Sequence, residues 1–228
     1  MRSSKNLVLG LIVVVVVVSV FFLLPKSNDA DTIKHAMEVS RQLSGYHFVS
    51  QGANTKEGDW SAPGNLRMDV AAKKGTVTLI VIGKDPYIRV PVSDTFAHLV
   101  NALSNSDPLS ITGGALLSTF GSDSKDVHDV LNVGDDMIGG VAVVHFKYSY
   151  TYTSPQFPSG ADIDQEVWIQ KSTGYVYQLR TMGGSPIVET YSRINEPVTP
   201  PIEAPAKFTE VSSDSIDFTL MIADAFTP

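Results

Sequence analysis

The chain has 228 residues, of which 43% are hydrophobic, 18% are charged and none is cysteine, and its formal net charge is −7. This length suits one domain of ordinary size with an additional segment at one end. The lack of cysteine excludes disulfides, thiolate metal sites and cysteine nucleophiles, and the lack of a basic run argues against nucleic-acid binding, which needs clustered lysine and arginine.

The N-terminal segment, residues 1–31, predicts a signal-anchor and a short polar linker. Arg2 and Lys5 precede an uninterrupted apolar run, "LVLGLIVVVVVVSVFFLL", over residues 7–24. At 1.5 Å per residue this run spans about 27 Å, close to the hydrocarbon thickness of a bilayer. Its length favours an uncleaved transmembrane helix over a cleaved signal peptide or a buried core helix, and these alternatives stay open. The anchor residues are Leu7, Ile12, Val16, Phe21 and Leu24.

The positive charges before the apolar run predict the orientation of the chain. Lysine and arginine flanking a span favour the cytoplasmic side. We therefore expect a single-pass protein of the cytoplasmic membrane with its N-terminus in the cytoplasm and its C-terminal domain in the periplasm or cell envelope. If the signal is cleaved, the domain is secreted.

A helix and several strands are predicted between residues 32 and 91. Apolar residues share one helical face from Thr32 to Leu43, with Asp31 as N-cap and Gly45 as the end. Residues 54–65 predict a loop or wide hairpin that carries an exposed Trp60. The predicted strands are 46–51, 66–72, 76–83 and 87–91.

The periodicity then changes to that of helices. Phe96, Leu99, Val100 and Leu103 follow the i, i+3, i+4, i+7 spacing of one apolar helical face. Ser93 or Asp94 would cap this helix. Shorter helices are predicted at 114–121 and, as a capped turn or short helix, at 124–134.

Strands return in the last part of the chain. Residues 194–205 are rich in proline and predict an extended segment along a sheet edge, and the tail predicts a final strand or a short helix. Strands joined by short turns, with helices inserted between two runs of strands, indicate an α+β fold with one antiparallel sheet covered by helices on one face. The predicted strands of this part are 138–151, 162–170, 175–182 and 186–193.

Two of the predicted strands are apolar on both faces. In "TVTLIVI", Val77, Leu79 and Val81 oppose Ile80 and Ile82. In "VAVVHFKYSY", one face has the set Ala142, Val144, Phe146 and Tyr148 and the other has Val141, Val143, His145 and Lys147. Because a sheet must bury every apolar face, we expect one face to pack against helices and part of the other to line a cavity or contact a partner. An ordinary filled core is the alternative.

No motif in the chain predicts catalysis, a metal site or a cofactor. Asp135 and Asp136 are adjacent, so on a strand they would point to opposite faces, and a turn before a strand explains them better than an acid/base pair. No G-x-S-x-G motif is present, and "DSKDVHD" lacks the glycine and the glutamate of a calcium loop. The histidines have no metal-binding spacing: His35, His47, His98, His128 and His145. We therefore expect a protein that is not an enzyme.

The order of elements and several short motifs resemble the LolA-like superfamily of periplasmic lipoprotein carriers, most closely its LppX-like branch of lipid-binding lipoproteins. The pairing of a glycine-led strand with a tryptophan-containing hairpin carries the resemblance best. The matching stretches are "GYHFVSQG", "GDWSAPGNLRMDV", "TVTLIVIGKDPYIRVP", "VGDDMIGGVAVVHFKYSY", "IDQEVWIQKSTGYVYQLR" and "YSRINEPVTPPIEAP".

This resemblance implies a curved antiparallel half-barrel that is closed by helices and holds acyl chains between sheet and helices. It divides the chain into the anchor and linker (1–31), a lipid-binding domain (32–205) and a C-terminal extension (206–228). The implied cavity residues are Leu79, Val81, Phe96, Leu99, Val100, Leu103, Val144, Phe146, Tyr148 and Trp168.

The implied partners are the membrane and a lipid or an acylated protein, without nucleic acid, and the oligomeric state is left open. A lipoprotein of this kind would have a cysteine just after the apolar run, and this chain has none. The departure favours a tethered protein over a freely shuttling carrier. The alternative is a non-enzymatic interaction or sensor module of the same fold with a filled core.

Overall fold

One continuous sheet contains every strand that the structure describes. The computed structural model describes residues 28–91, 93–100, 127–154, 157–183 and 186–212. Helix α1 is Asp29–Arg41, and the first six strands are β1 (Gly45–Gln51), β2 (Lys56–Ser61), β3 (Asn65–Ala72), β4 (Gly75–Ile82), β5 (Asp85–Arg89) and β6 (Phe96–Val100). The other strands are β7 (Val127–Ile138), β8 (Val141–Ser154), β9 (Phe157–Gln170), β10 (Val176–Thr181), β11 (Ile187–Ser192) and β12 (Phe208–Ser212).

The sheet is curved and open, with its two edges at β12 and β7. Its strand order is β12-β6-β5-β4-β3-β2-β1-β11-β10-β9-β8-β7. The two runs of hairpin-connected strands are joined by the antiparallel pair of β1 and β11. Neighbouring strands are antiparallel throughout this sheet except β12, which pairs with β6 in parallel. The predicted curved antiparallel sheet is confirmed, and of the helices predicted to cover it the described residues contain one, α1.

Helix α1 packs on one face of the sheet, which we call the inner face. Its buried residues Ile33, Ala36 and Met37 join the same apolar cluster as the buried side chains of the strands. The side chain of Asn28 caps the helix by accepting a hydrogen bond from the backbone N–H of Ala30 at 3.4 Å. The prediction of Asp31 as N-cap is wrong because the helix begins two residues earlier, at Asp29.

The hairpin of β7 and β8 turns on two glycines. Gly139 and Gly140 have φ angles of 57° and 85°, which side chains with a Cβ rarely adopt. Ile138 pairs with Val141 on the two sides of this two-residue turn, the arrangement that matches the right-handed twist of the strands. Asp135 and Asp136 lie within β7, before the turn, so the prediction that they are turn residues is wrong. They do point to opposite faces of the sheet, because Asp135 pairs with Val144 and Asp136 with Val143.

The predicted helix over Phe96, Leu99 and Val100 is wrong. These residues form β6, which pairs with β5 on one side and β12 on the other. Ala97 and Leu99 are buried at every second position, so the period is two. The helical spacing was misleading because a five-residue apolar stretch fits both periods. The fourth residue of the predicted face, Leu103, lies outside the described residues.

The predicted loop at 54–65 is also wrong. Its centre is strand β2, which pairs along its whole length with β1 and β3. Trp60 is only 4% exposed and stacks on Tyr46 with ring centroids 5.2 Å apart. The glycine and charged residues of "KEGDW" have low strand propensity, but pairing on both sides stabilises the strand.

The remaining predicted elements have different outcomes. The predicted capped turn or short helix at 124–134 is wrong where the structure describes it, because residues from 127 onward belong to β7. The helix at 114–121, the tail strand and the anchor run at 7–24 lie outside the described residues. Among the residues that are described, no helix is both long enough and apolar enough to cross a bilayer.

Gly58 is a point of close packing in the sheet. A Cβ at this position would overlap the backbone oxygen of Arg67 and would lie 3.0 Å from the ring of Phe48. The backbone oxygen belongs to the paired strand β3 and cannot rotate away. Glycine therefore allows the Phe48 ring to pack directly over β2.

We predict that Gly58→Ala lowers the free energy of unfolding by at least about 2 kcal/mol, because overpacking displaces backbone or an aromatic ring. Chemical denaturation followed by tryptophan fluorescence measures the change. Gly183→Ala is the matched control, since a Cβ there meets no heavy atom within 4 Å, and it should change stability by less than about 0.5 kcal/mol. Equal stability of the two variants would contradict the packing argument.

Candidate functional site

The inner face of the sheet is a continuous apolar surface. Cross-strand pairs place Leu66 between Trp60 and Val81, and the same alternation repeats from strand to strand. The strands bury these side chains on the inner face. The buried apolar residues of the strands in this cluster are Tyr46, Phe48, Trp60, Leu66, Met68, Val70, Val77, Leu79, Val81, Phe146, Tyr148, Val167, Ile169, Val176, Leu179 and Tyr191.

Aromatic side chains fill the centre of the inner face. The Tyr46 ring stacks on Trp60 and meets Phe48 and Tyr191 edge-on at centroid distances of 6.3 and 5.7 Å. All four residues are almost fully buried. Such edge-to-face and stacked contacts stabilise a packed core, so the centre of the face acts as ordinary core.

Polar side chains on the inner face satisfy one another. The Tyr148 hydroxyl donates to Gln165 Oε1 at 2.5 Å, and Gln165 Nε2 donates to Thr181 Oγ1 at 3.0 Å. Tyr148 and Gln165 are each 2% exposed, and burial raises the pKa of the Tyr148 hydroxyl, which therefore stays protonated. A buried amide with partners on both of its atoms fixes the register of β8, β9 and β10.

Glu189 places a carboxyl group among the buried apolar residues. It is 4% exposed, and the Tyr191 hydroxyl donates to its Oε2 at 2.8 Å. Burial raises the pKa of Glu189 to about 7, although the hydrogen bonds of Tyr191 and Ser50 and the charge of Lys56 oppose the shift. Glu189 is therefore a buried acid that titrates near neutral pH.

An apolar pocket lies on the inner face at the β12 edge of the sheet. Its volume is about 170 Å³, below the range of about 300–1,000 Å³ of typical small-ligand sites. The inner-face positions of three neighbouring strands form it, since Ile88 pairs with Ala97 and Ala97 with Thr209. The lining residues are Ile88, Val90, Ser93, Thr95, Phe96, Ala97, Thr209 and Val211.

The structure divides the predicted cavity residues between the two faces. Phe96 borders the pocket, but its ring lies on the outer face, where the Arg89 guanidinium packs over it at 5.1 Å. Val100 and Trp168 lie on the outer face, and Leu103 lies outside the described residues. The residues on the inner face are Leu79, Val81, Leu99, Val144, Phe146 and Tyr148. Whether any of them binds a ligand stays a prediction.

Trp168 belongs to a polar cluster on the outer face that sequence reasoning missed. Its ring stacks on His145 with centroids 4.3 Å apart. The Glu166 carboxylate lies 3.0 Å from Lys147 Nζ and 3.6 Å from His145 Nε2. Burial lowers the pKa of His145 even though Glu166 opposes this shift. The cluster pairs its charges across β8 and β9, and it explains how an outer-face tryptophan is buried.

The described histidines and carboxylates do not converge on a metal site. Within the described ranges, no group of three or more His, Asp or Glu side chains has the arrangement that holds a metal ion. His47 lies between Asp59 at 3.0 Å and Glu57 at 3.4 Å, and Asp59 also binds Arg193 at 2.7 Å. These contacts are ion pairs of the outer face.

Sequence reasoning also missed the pocket residues Ile88, Val90, Thr209 and Val211. Ile88 and Val90 alternate with Tyr87 and Arg89, and that alternation could have identified them. Thr209 and Val211 carry no such signal, because their position depends on the parallel pairing of β12 with β6, which joins residues more than 100 positions apart.

Comparisons with solved structures show the same fold. The Mycobacterium tuberculosis lipoprotein LppX is 15% identical over 77% of this chain and 98% of its own, with a TM-score of 0.59. LprF from Mycobacterium bovis is 16% identical over 78% of this chain and 97% of its own, with a TM-score of 0.57.

No protein-family model matches the chain, and no curated protein matches it in sequence. The likeness is therefore one of fold. The predicted LolA-like and LppX-like resemblance is confirmed at that level by LppX and LprF.

We predict that stability falls with rising pH because of Glu189. The pKa of Glu189 is higher in the folded state than its ordinary value of 4.5, so the folded protein holds this proton more tightly than the unfolded chain does. The contribution to the unfolding free energy is fully present below pH 4.5 and is lost as the pH rises through about 7. The loss amounts to about 3 kcal/mol. Denaturation of the parent and of Glu189→Gln at pH 5, 6, 7 and 8 measures it: the unfolding free energy of the parent should fall relative to the variant across this range. Parallel pH profiles of the two proteins would contradict the assignment.

Proposed function

We propose that this chain is a membrane-tethered, extracytoplasmic protein that binds acyl chains of a lipid or an acylated protein on the inner face of its sheet. The observation that carries the proposal is the apolar pocket at the β12 edge, which continues the apolar inner face beyond its filled centre. The fold shared with LppX and LprF supports it, as does the 18-residue apolar run near the N-terminus.

The physical basis of the binding is burial of methylene groups. Each buried methylene contributes about 0.8 kcal/mol, so an acyl chain needs no specific polar site. The pocket volume of about 170 Å³ suits only the end of such a chain. The rest of the chain would lie along the inner-face residues of β4, β5 and β6, where Leu79, Ile88 and Ala97 form one cross-strand row.

The absence of catalytic groups at the pocket supports a binding role. Its lining offers hydroxyl groups from Ser93, Thr95 and Thr209 and otherwise apolar side chains. The Ser93 hydroxyl donates to the backbone oxygen of Thr95 at 2.9 Å, which engages it in a local turn. No described titratable side chain lines this pocket.

A second candidate function is an interaction module whose inner face is only core. The filled aromatic centre around Tyr46 favours it. In that case the pocket would remain a surface depression, and purified protein would contain no lipid.

Organic extraction of the full chain purified in detergent, followed by mass spectrometry, distinguishes the two candidates. An unrelated membrane protein that is purified in the same way gives the background of lipid.

We predict that Thr209→Trp weakens the binding of a fluorescent fatty acid at least about tenfold, because the indole would fill the pocket and exclude about two methylenes. Thr209 is exposed and lies on an edge strand, so the substitution should leave the fold intact. The readout is the fluorescence titration of the full chain.

Glu210→Trp is the matched control for this prediction. Glu210 is the next residue of the same strand and pairs with His98 on the outer face. The Glu210→Trp variant should bind the fatty acid as tightly as the parent protein does. If both variants bind as tightly as the parent, the pocket does not hold the acyl chain.

A further inference from the structure

Strand β7 forms a long open edge of the sheet. Within the described residues it pairs with β8 alone. It has 12 residues, whereas β12 at the opposite edge has five. An edge strand presents unpaired backbone N–H and C=O groups, and proteins usually shorten or cover such edges.

Large apolar side chains are exposed along this edge. Leu131 is 59% exposed, Val133 48% and Met137 62%. Leu131 pairs with Lys147 on the outer face, and Met137 pairs with Ala142 on the inner face. The edge therefore offers exposed apolar surface that the alternate side chains of an additional strand could contact.

Only the second half of β7 is regular. The register shifts between His128 and Leu131 and again between Asn132 and Gly134. Asp129 and Gly134 have positive φ angles of 52° and 119°. Bulges of this kind hinder edge pairing, whereas residues 134–138 pair in continuous register with β8. A further strand would therefore pair with residues 134–138.

Residues 134–138 carry two carboxylates, and their charge favours a basic partner. Asp135 and Asp136 lie on opposite faces and beside a surface depression of about 470 Å³ that Met137, Ala142 and Lys171 also line. Lys171 Nζ binds Asp135 at 2.7 Å. Asp136 accepts a hydrogen bond from the backbone N–H of Met137 at 2.7 Å, and no described cation forms an ion pair with it. A basic side chain on an incoming strand would complement Asp136.

A second copy of the chain fits this edge poorly. It would bring the same acidic segment and a formal net charge of −7, and like charges on adjacent strands are destabilising. A different protein with a basic segment avoids this repulsion.

We propose that residues 134–138 of β7 bind an extended segment of a partner protein that alternates apolar and basic side chains and adds to the sheet as a further strand. Backbone hydrogen bonds to the edge would hold the segment, with the Met137 N–H passing from the Asp136 side chain, which it now binds at 2.7 Å, to the incoming strand. The apolar side chains of the segment would contact Met137 on the inner face, and a basic side chain would pair with Asp136 on the outer face. This surface is separate from the pocket at the β12 edge and does not depend on lipid binding.

The test uses the full chain in nanodiscs of zwitterionic lipid, with empty nanodiscs as the blank. The probe is a fluorescein-labelled ten-residue peptide that alternates valine and lysine, and its matched counterpart alternates valine and glutamate. Fluorescence anisotropy should show the lysine peptide binding at least about tenfold more tightly. Asp136→Lys should reverse this preference, and Glu203→Lys, at an exposed carboxylate elsewhere, should leave it unchanged.

A lysine peptide that is N-methylated at alternate residues tests the backbone pairing on the unmodified protein. It should bind at least about tenfold more weakly than the parent peptide, because methylation removes the ladder donors. Equal binding of the methylated peptide, equal binding by Asp136→Lys or no binding of the lysine peptide would overturn the proposal. So would a dimer in sedimentation that Met137→Asp dissociates, since the occupant of the edge would then be a second copy.

Discussion

The alternation of side chains across the twelve described strands is the constraint on which the fold depends. A shift of one residue in any strand would turn its apolar set from the inner to the outer face. Two kinds of contact fix the register. Bulky and small residues on paired strands fit together, as where the Phe48 ring packs over Gly58. Buried polar groups also need specific partners, as in the hydrogen bonds that join Tyr148, Gln165 and Thr181. The helix then covers part of a surface that the strands have already defined.

The same inner face serves two purposes along its length. Around Tyr46 it is filled with aromatic rings, while towards β12 smaller side chains such as Ala97 and Thr209 leave a pocket. The fold shared with LppX and LprF supplies the architecture, and the size of the side chains in each row determines where space remains. Glu189 adds a titratable group beneath this surface, so that packing and protonation are coupled within the face.

Strong local patterns could be predicted from the sequence, and elements that depend on distant partners could not. Strands β1, β3, β4, β5 and β8 to β11 were predicted because short alternating or β-branched apolar runs are bounded by turn residues. Strands β2 and β7 contain glycine and acidic residues, which suggested loop or turn, and only their pairing identifies them as strands. For the site, the predicted cavity residues Leu79 and Phe146 do lie on the inner face, whereas the predicted helix over Phe96, Leu99 and Val100 was wrong because β6 is held by β5 and β12.

The parallel pairing of β12 with β6 has a consequence for how the chain reaches its final state. The proline-rich segment 193–207 must run from β11, in the middle of the sheet, to its far edge, and Asn195 starts this path by donating its backbone N–H to Gly45 at 2.8 Å. Because a chain is synthesised from its N-terminus, β6 lacks this neighbour until β12 has also been synthesised. Contacts of such wide sequence separation also form slowly. The edge that carries the pocket is therefore completed later than the hairpins between neighbouring strands, and until then the backbone groups of β6 on that side lack β12 as a partner.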